Sequence, residues 1–230
     1  MPVERKPFST FEDVDVWYET LQAGEAEYRQ YGRWLSEQER QTAQRFVHEL
    51  HRRRYVVCHG KVRLLLSRYL ENAPEAIRFG RQALGKPYLL DNNGEPQTLR
   101  FNLSHSGERL LLAVGRRELG VDVEVWDPRH APESLAGEIL APEEWAHWQR
   151  LPPARRREAF YRFWTRKESL VKAVGAGIGV GVAEVITTTV GAAGFLALPE
   201  SCGLVSDWHL LDLEMESEVS GALTIACRNR

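Results

Sequence analysis

The sequence predicts an α+β protein made of two related lobes with a cleft between them. Both halves of the 230-residue chain contain strand-like alternation and amphipathic helical spacing. A faint internal similarity also recurs at a constant shift of 105 residues, which places residues 16–19 on 121–124 and residues 35–39 on 140–144. Two lobes with the same order of elements would pack as related layers around a cleft. A single mixed domain with coincidental similarity is the alternative.

The first half predicts one strand and two helices. Residues 14–18 alternate between polar and apolar side chains and predict a strand. The SEQE motif at residues 36–39 has the form of a capping box, which predicts the start of a helix. Residues 54–70 carry apolar side chains at three- and four-residue spacings among many basic ones. This segment predicts a basic amphipathic helix that ends before Asn72 and Pro74.

The middle of the chain is predicted to be sheet, and another long helix follows it. Residues 99–104, 110–114 and 121–125 are β-like segments separated by turn residues. Residues 155–174 follow two prolines and have the apolar spacing of a helix, so a long helix is expected there. Further strands are expected to close the chain.

The charge distribution differs between the two predicted lobes, residues 1–118 and 119–230. The whole chain has a formal charge of −2, but residues 40–68 contain eight basic residues and a single acid, Glu49. A segment with such an excess of positive charge attracts an anion.

The composition indicates a folded protein in a reducing compartment. Hydrophobic residues make up 43% of the chain and charged residues 27%, which is ordinary for a globular protein. The N-terminal sequence has no apolar signal region, and no apolar stretch approaches the ~20 residues of a membrane span. The three cysteines have no C-x-x-C spacing. We therefore expect a cytoplasmic protein without disulfides or a membrane segment.

Asp122 and Glu124 are two residues apart on a predicted strand, so their carboxylates project from the same face. Two neighbouring anions repel each other unless a cation lies between them, and oxygen ligands suit Mg²⁺. A solvated strand face is the alternative.

Glu168 and Lys172 lie one turn apart on a predicted helix. They are either an ordinary surface ion pair or a base and a phosphate-neutralising cation.

Residues 101–107 pass from an alternating strand into a polar turn, where Ser104 and His105 could bind phosphate. A hydrolytic Ser–His pair is discounted, because adjacent strand residues point to opposite faces and no G-x-S-x-G motif is present.

Lys86 lies in a tight Gly-Lys-Pro turn, which is a weak signal by itself. The glycine run at residues 175–181 precedes strand-like sequence rather than a helix, so it does not match a phosphate loop. His48, His51, Cys58 and His59 could suggest zinc, but three intervening arginines oppose a cation.

Four motifs in series resemble the 4′-phosphopantetheinyl transferases of the larger, surfactin-synthetase-activating (Sfp-like) type. They are GKPYL at 85–89, FNLSHSG at 101–107, GVDVEVW at 120–126 and FWTRKESLVKAVGAGI at 163–178. The resemblance implies two pseudo-twofold-related α+β lobes in one chain, with the active site in the cleft. It also implies the reaction: coenzyme A donates phosphopantetheine to a serine of an apo acyl or peptidyl carrier protein, and adenosine 3′,5′-bisphosphate is released.

The same resemblance implies a role for individual residues. Asp122, Glu124 and Glu168 would bind Mg²⁺ on the pyrophosphate, and Glu168 would also help to deprotonate the incoming serine. Lys172 would contact the pyrophosphate and act with Glu168 in catalysis. The coenzyme A ligands would be Arg54, Lys86, Pro87, Ser104, His105 and Lys172.

The resemblance further implies a monomer, without nucleic-acid or membrane partners. Two lysines that some relatives carry fall on Glu39 and Thr42 here, which leaves part of the 3′-phosphate contact unexplained. Basic residues on both long helices are expected to face an acidic carrier protein; those of the second helix include Arg155, Arg156, Arg157, Arg162 and Arg166. The rival functions are a magnesium-dependent hydrolase of coenzyme A or another pyrophosphate, and a nucleic-acid-binding module that uses the basic helix.

Overall fold

The computed structural model describes residues 6–129, 132–175, 177 and 181–227. Most of the glycine run beyond Gly175, including Gly179, lies outside these residues. The helices are α1 (Glu25–Trp34), α2 (Glu37–Gln44), α3 (Glu49–Leu70), α4 (Glu133–Ile139), α5 (Pro142–Arg150) and α6 (Pro153–Val174). The strands are β1 (Ser9–Phe11), β2 (Val14–Thr20), β3 (Arg78–Arg81), β4 (Pro87–Leu90), β5 (Arg100–Ser106), β6 (Arg109–Gly115), β7 (Leu119–Val125), β8 (Ile186–Thr187), β9 (Phe195–Ala197), β10 (Trp208–Asp212) and β11 (Val219–Ala226).

The N-terminal half is an antiparallel sheet covered by α3. The strand order is β1-β2-β6-β5. Apolar residues of α3, such as Val57 and Leu65, pack with Trp17 of β2 and Leu112 of β6 in one buried cluster. The predicted capping box is confirmed at the start of α2, where the Ser36 hydroxyl accepts the amide of Glu39. Helix α3 begins at Glu49, five residues earlier than predicted.

The C-terminal half is a smaller antiparallel sheet against α6. Its strand order is β10-β11-β7. Strand β7 lies so close to α6 that a Cβ at Gly120 would collide with the backbone of Ser169 and Ala173. A glycine is therefore required where the strand that carries Asp122 crosses the helix that carries Glu168. Gly175 ends α6 in the left-handed conformation, with φ of 73°.

The two halves repeat the same order of elements. β2 begins at Val14 and β7 at Leu119, 105 residues apart, and α2 and α5 begin at Glu37 and Pro142, again 105 apart. The long helices α3 and α6 both have 22 residues. The predicted α+β class is confirmed. Residues 182–190 are mostly not the strand that the sequence predicted, because a 3₁₀ turn precedes the two-residue strand β8.

A shared hydrophobic cluster joins the two sheets. Val16 of β2 and Leu111 of β6 pack with Val121 of β7 and Leu223 of β11. This contact brings β5 beside β7, so that the polar end of one half faces the acidic strand of the other. Among the described helices, none is long and apolar enough to cross a bilayer.

Candidate active site

Two rows of polar side chains meet where β5 lies beside β7. The Ser104 hydroxyl donates to Asp122 Oδ1 at 2.8 Å, and the Ser106 hydroxyl donates to Glu124 Oε2 at 2.7 Å. Both pairs are separated by 18 residues. The two serines and the two carboxylates each lie two residues apart, because alternate residues of a strand point to the same side. The N-L-S-H-S segment is therefore a row of donors that orients the D-V-E carboxylates.

Asp122 is the centre of this arrangement. Its side chain is 2% exposed, and Oδ1 also accepts a hydrogen bond from Lys172 Nζ at 2.6 Å. The other oxygen, Oδ2, is buried and has no hydrogen-bond partner among the described residues. A buried, unpartnered carboxylate oxygen is costly unless something binds it. Burial raises the pKa of Asp122, and the neighbouring Lys172 ammonium and Ser104 hydroxyl oppose the shift.

Glu124 and Glu168 lie within the electrostatic reach of Asp122. Trp164 Nε1 donates to Glu124 Oε1 at 3.4 Å, one turn before Glu168 on α6. Burial first, and then the Asp122 charge, raise the pKa of Glu124. Burial raises the pKa of Glu168, and the charges of Asp122 and Glu124 raise it further against the opposing effect of Lys172. Three carboxylates that disfavour one another's ionisation are an environment that a divalent cation would relieve.

The metal site is nevertheless not preformed. In the described part of the chain, no three carboxylate, imidazole or thiol groups stand close enough to hold a metal ion. Asp122 forms an ion pair with Lys172 instead. The chemistry of the donor set still fits Mg²⁺, because β7 and α6 supply hard carboxylate oxygens and Asp122 Oδ2 is unpartnered among the described residues.

Ser104 and His105 have different environments. Ser104 is buried, donates to Asp122 and accepts from Lys172 Nζ at 2.8 Å, so its hydroxyl is already engaged. His105, on the opposite face of β5, is exposed. Desolvation lowers its pKa first, and the charges of Lys172, His59 and Arg54 lower it further. Of these two predicted phosphate ligands, only His105 presents a side chain that is free to meet a ligand.

Lys86 has three protein partners in the structure. Its ammonium donates to Glu118 Oε2 at 2.9 Å and to the carbonyl oxygens of Leu119 at 3.3 Å and Ala173 at 2.6 Å. It therefore ties the loop before β4 to the start of β7 and the end of α6. A contact with coenzyme A stays a prediction, and it would require Lys86 to exchange one of these bonds.

The positive charge of residues 40–68 is largely neutralised by acidic side chains. At least six of the eight basic residues in this segment form ion pairs with described residues, and Arg54 pairs with Glu108 in the β5–β6 turn. The segment therefore attracts anions less than its sequence suggests. On α6, Arg166 is buried against Asp212 at 2.6 Å, so it does not face a partner as predicted.

A cavity of about 440 Å³ opens beside these groups. Glu168, Lys172 and Lys86 lie on its wall with apolar side chains around them. The apolar and aromatic wall consists of Leu84, Pro87, Leu103, Trp164, Val171 and Val182. A ligand that combines an anionic group with a weakly polar chain matches such a wall.

Sequence reasoning missed two donors of the site and one buried ion pair between α6 and α5. Ser106 and Trp164 both donate to Glu124, and Lys167 forms an ion pair with Glu144 at 2.7 Å in which both side chains are fully buried. The period of two shared by S-x-S and D-x-E could have indicated Ser106. No local pattern indicates the Lys167–Glu144 pair, because its members come from α6 and α5.

Comparisons with known proteins agree with this architecture. A sequence model of the 4′-phosphopantetheinyl transferase superfamily matches residues 118–224, and one of the 4′-phosphopantetheinyl transferase N-terminal region matches residues 19–116. The chain is 33% identical over 217 residues to the 4′-phosphopantetheinyl transferase HetI of Nostoc, which covers 94% of this chain and 88% of that protein. It is 44% identical over 114 residues to the 4′-phosphopantetheinyl transferase AcpT of Salmonella typhi, which covers 49% of this chain and 56% of that protein.

Among solved structures, the holo-[acyl-carrier-protein] synthase of Thermotoga maritima aligns with a TM-score of 0.41 at 23% identity, over 49% of this chain and 64% of that chain. The sequence matches define the class: the chain belongs to the 4′-phosphopantetheinyl transferase family. Within that family it has the two-domain, Sfp-like architecture, and it is an enzyme of this type.

Proposed function

We propose that this enzyme transfers the 4′-phosphopantetheine group of coenzyme A to a serine hydroxyl of an apo acyl or peptidyl carrier protein, with Mg²⁺ as cofactor. The observation that carries the proposal is the environment of Asp122. Its Oδ2 is unpartnered among the described residues, and its Oδ1 accepts from Lys172, which lines the cavity. The comparisons support the reaction type, since HetI and AcpT are named as 4′-phosphopantetheinyl transferases.

In the proposed reaction, the serine oxygen bonds to the phosphorus that carries the pantetheine arm. The bond from that phosphorus to the bridging pyrophosphate oxygen breaks, and adenosine 3′,5′-bisphosphate leaves. Mg²⁺ held by Asp122, Glu124 and Glu168 would neutralise charge on the pyrophosphate. Transfer of this kind depends mainly on positioning and on charge neutralisation.

The protein side chains divide this work. Ser104 and Ser106 fix the two β7 carboxylates, and Trp164 holds Glu124 from α6. Glu168 would take the proton of the attacking serine, a role helped by the raised pKa that burial gives this carboxyl group. Lys172 would turn from Asp122 toward the leaving oxygen. The apolar cavity wall would receive the pantetheine arm.

We also propose a cytoplasmic location and a monomeric state. The cysteines of the described residues are free thiols, which suits the reducing cytoplasm. Both β7 and α6 belong to one chain, so a monomer would contain the whole metal site.

Product analysis tests the proposal. The enzyme is incubated with coenzyme A and Mg²⁺ together with an apo carrier protein, with the same carrier whose acceptor serine is replaced by alanine, or with no carrier. We expect adenosine 3′,5′-bisphosphate only with the serine-containing carrier. Equal release in all three reactions would instead identify a hydrolase of coenzyme A.

A further inference from the structure

A carboxylate from α2 holds a histidine of α3 in one orientation. Glu39 Oε1 lies 2.8 Å from His59 Nδ1, while its Oε2 accepts hydrogen bonds from Arg63 Nη2 at 2.6 Å and from the Ser36 amide at 2.7 Å. Burial tends to raise the pKa of Glu39, but the hydrogen bonds from His59, Arg63 and Ser36 lower it to about 2. Glu39 is therefore a carboxylate, and Nδ1 must donate to it.

The charge of Glu39 is already matched by Arg63, whose side chain is 2% exposed. When its ring is protonated, His59 is therefore a net positive charge added to a neutral pair. The ring also stacks on Tyr55, with centroids 4.0 Å apart and planes inclined by 28°. Two independent contacts thus fix the ring before any ligand binds, which reduces the entropy lost on binding.

The other ring nitrogen of His59, Nε2, makes no hydrogen bond to another described residue. The side chain is 25% exposed, so this nitrogen can be reached from solvent. The charges of His59 and of Arg54, which is itself paired with Glu108, both act on His105 of β5, so these side chains lie near one another. The Thr42 side chain of α2 and the charge of Arg81 of β3 both act on the Tyr55 hydroxyl. The unpartnered Nε2 bears an N–H when the ring is the imidazolium, and cationic and donor groups around such an N–H are suited to an anion.

We infer that His59 is a phosphate-binding residue of the donor site and that, as the imidazolium, it donates its Nε2–H to the 3′-phosphate of coenzyme A. This inference rests on the proposed function in naming coenzyme A. The donor carries two anionic groups, and the pyrophosphate must lie at the carboxylates and Lys172, where the reaction occurs. The second group, the 3′-phosphate, then meets the cluster formed by His59, His105 and Arg54. Glu39 acts through His59 as a positioning residue.

Calorimetry without carrier protein or Mg²⁺ tests this inference. The ligands are adenosine 3′,5′-bisphosphate, which carries the 3′-phosphate, and adenosine 5′-monophosphate, which lacks it. His59→Phe keeps the stacked ring and removes both N–H groups, and His59→Gln is a second variant of different shape. His51→Phe, an exposed histidine two turns earlier on α3, is the matched control. Thermal melting establishes that each variant is folded.

We expect His59→Phe and His59→Gln to weaken binding of the bisphosphate about tenfold, which is the effect of losing one charge-assisted hydrogen bond. The affinity for the monophosphate should stay within about twofold, and His51→Phe should leave both affinities unchanged. Equal loss for both ligands, or no loss for the bisphosphate in a folded variant, overturns the inference. Because no carrier takes part, wild-type binding of the bisphosphate without carrier modification would count against the proposed function alone.

Discussion

Lys172 and Asp122 form an ion pair between α6 and β7, with Nζ 2.6 Å from Oδ1. Lys172 thus supplies positive charge to a buried carboxylate whose second oxygen is unpartnered in the described structure. The pair links the two elements that carry the proposed metal ligands. The proposed cation would therefore bind to a site that is partly neutralised rather than to three bare carboxylates.

Mg²⁺ should therefore stabilise the folded protein. A cation that binds only the native state raises the unfolding free energy by about 1.4 kcal/mol at tenfold its Kd. We expect the Tm to rise with Mg²⁺ concentration, as measured by differential scanning calorimetry. Glu168→Gln should remove most of this rise, whereas Glu158→Gln, in an exposed ion pair on the same helix, should keep it. An identical Mg²⁺ response in all three proteins would contradict the metal assignment.

Turnover should follow the same carboxylates. We expect Glu168→Gln and Asp122→Asn each to lower kcat by about a hundredfold or more, because each removes charge stabilisation and a ligand at the reacting centre. Glu158→Gln should retain wild-type kcat. The rate of adenosine 3′,5′-bisphosphate release is the measurement, and near-normal rates in either site variant at saturating Mg²⁺ would rule out the proposed roles.

Lys86 should contribute to stability. Its ammonium donates three hydrogen bonds that connect the loop before β4 with β7 and α6, and Glu118 keeps Arg100 as a partner when Lys86 is removed. We expect Lys86→Met to lower the unfolding free energy by about 2 kcal/mol in urea denaturation. Arg81→Met, which removes one exposed contact of the same loop, is the control and should cost far less. Equal stability of the two variants would show that the Lys86 contacts contribute little.

The extent to which the sequence predicted the structure can be judged from particular residues. Asp122, Glu124, Glu168 and Lys172 were predicted together, and the structure brings them to neighbouring positions on β7 and α6. The period of two and the four-residue helical spacing are local, so the sequence displays them directly. The partners of Lys86 and of the α3 arginines come from distant segments, and no local pattern specifies them. The sequence therefore overestimates how strongly residues 40–68 attract an anion.

The ion pair between Lys167 and Glu144 should be essential for folding. Both side chains are fully buried, and Lys167 also donates to the carbonyl oxygens of Val182 and Val185. Removal of one partner leaves an uncompensated buried charge, which costs about 3–5 kcal/mol. We expect Lys167→Met to lower the unfolding free energy by this amount in urea. A loss below about 1 kcal/mol would mean that Glu144 finds another partner.

Glu39 should make stability depend on acid pH. Burial disfavours its ionised form, yet the bonds from His59, Arg63 and Ser36 lower the pKa from 4.5 to about 2. Because the pKa of Glu39 is lower in the folded protein, its ionisation stabilises the fold at pH values above its unfolded-state pKa. This stabilisation is lost as the pH falls through about 2. The stability difference between wild type and Glu39→Gln should therefore shrink between pH 5 and 2, by about 2 kcal/mol after solvent screening. Urea denaturation across this range is the measurement, and a constant difference would exclude Glu39 as the titrating group.

The mass of a carrier protein tests the central claim most directly. An apo acyl carrier protein and an apo peptidyl carrier protein are each incubated with the enzyme, coenzyme A and Mg²⁺, and intact-protein mass spectrometry follows. We predict that at least one carrier gains the mass of a single phosphopantetheine group, and that this gain disappears with Asp122→Asn. Unchanged masses of both carriers with the wild-type enzyme would contradict the proposed transfer.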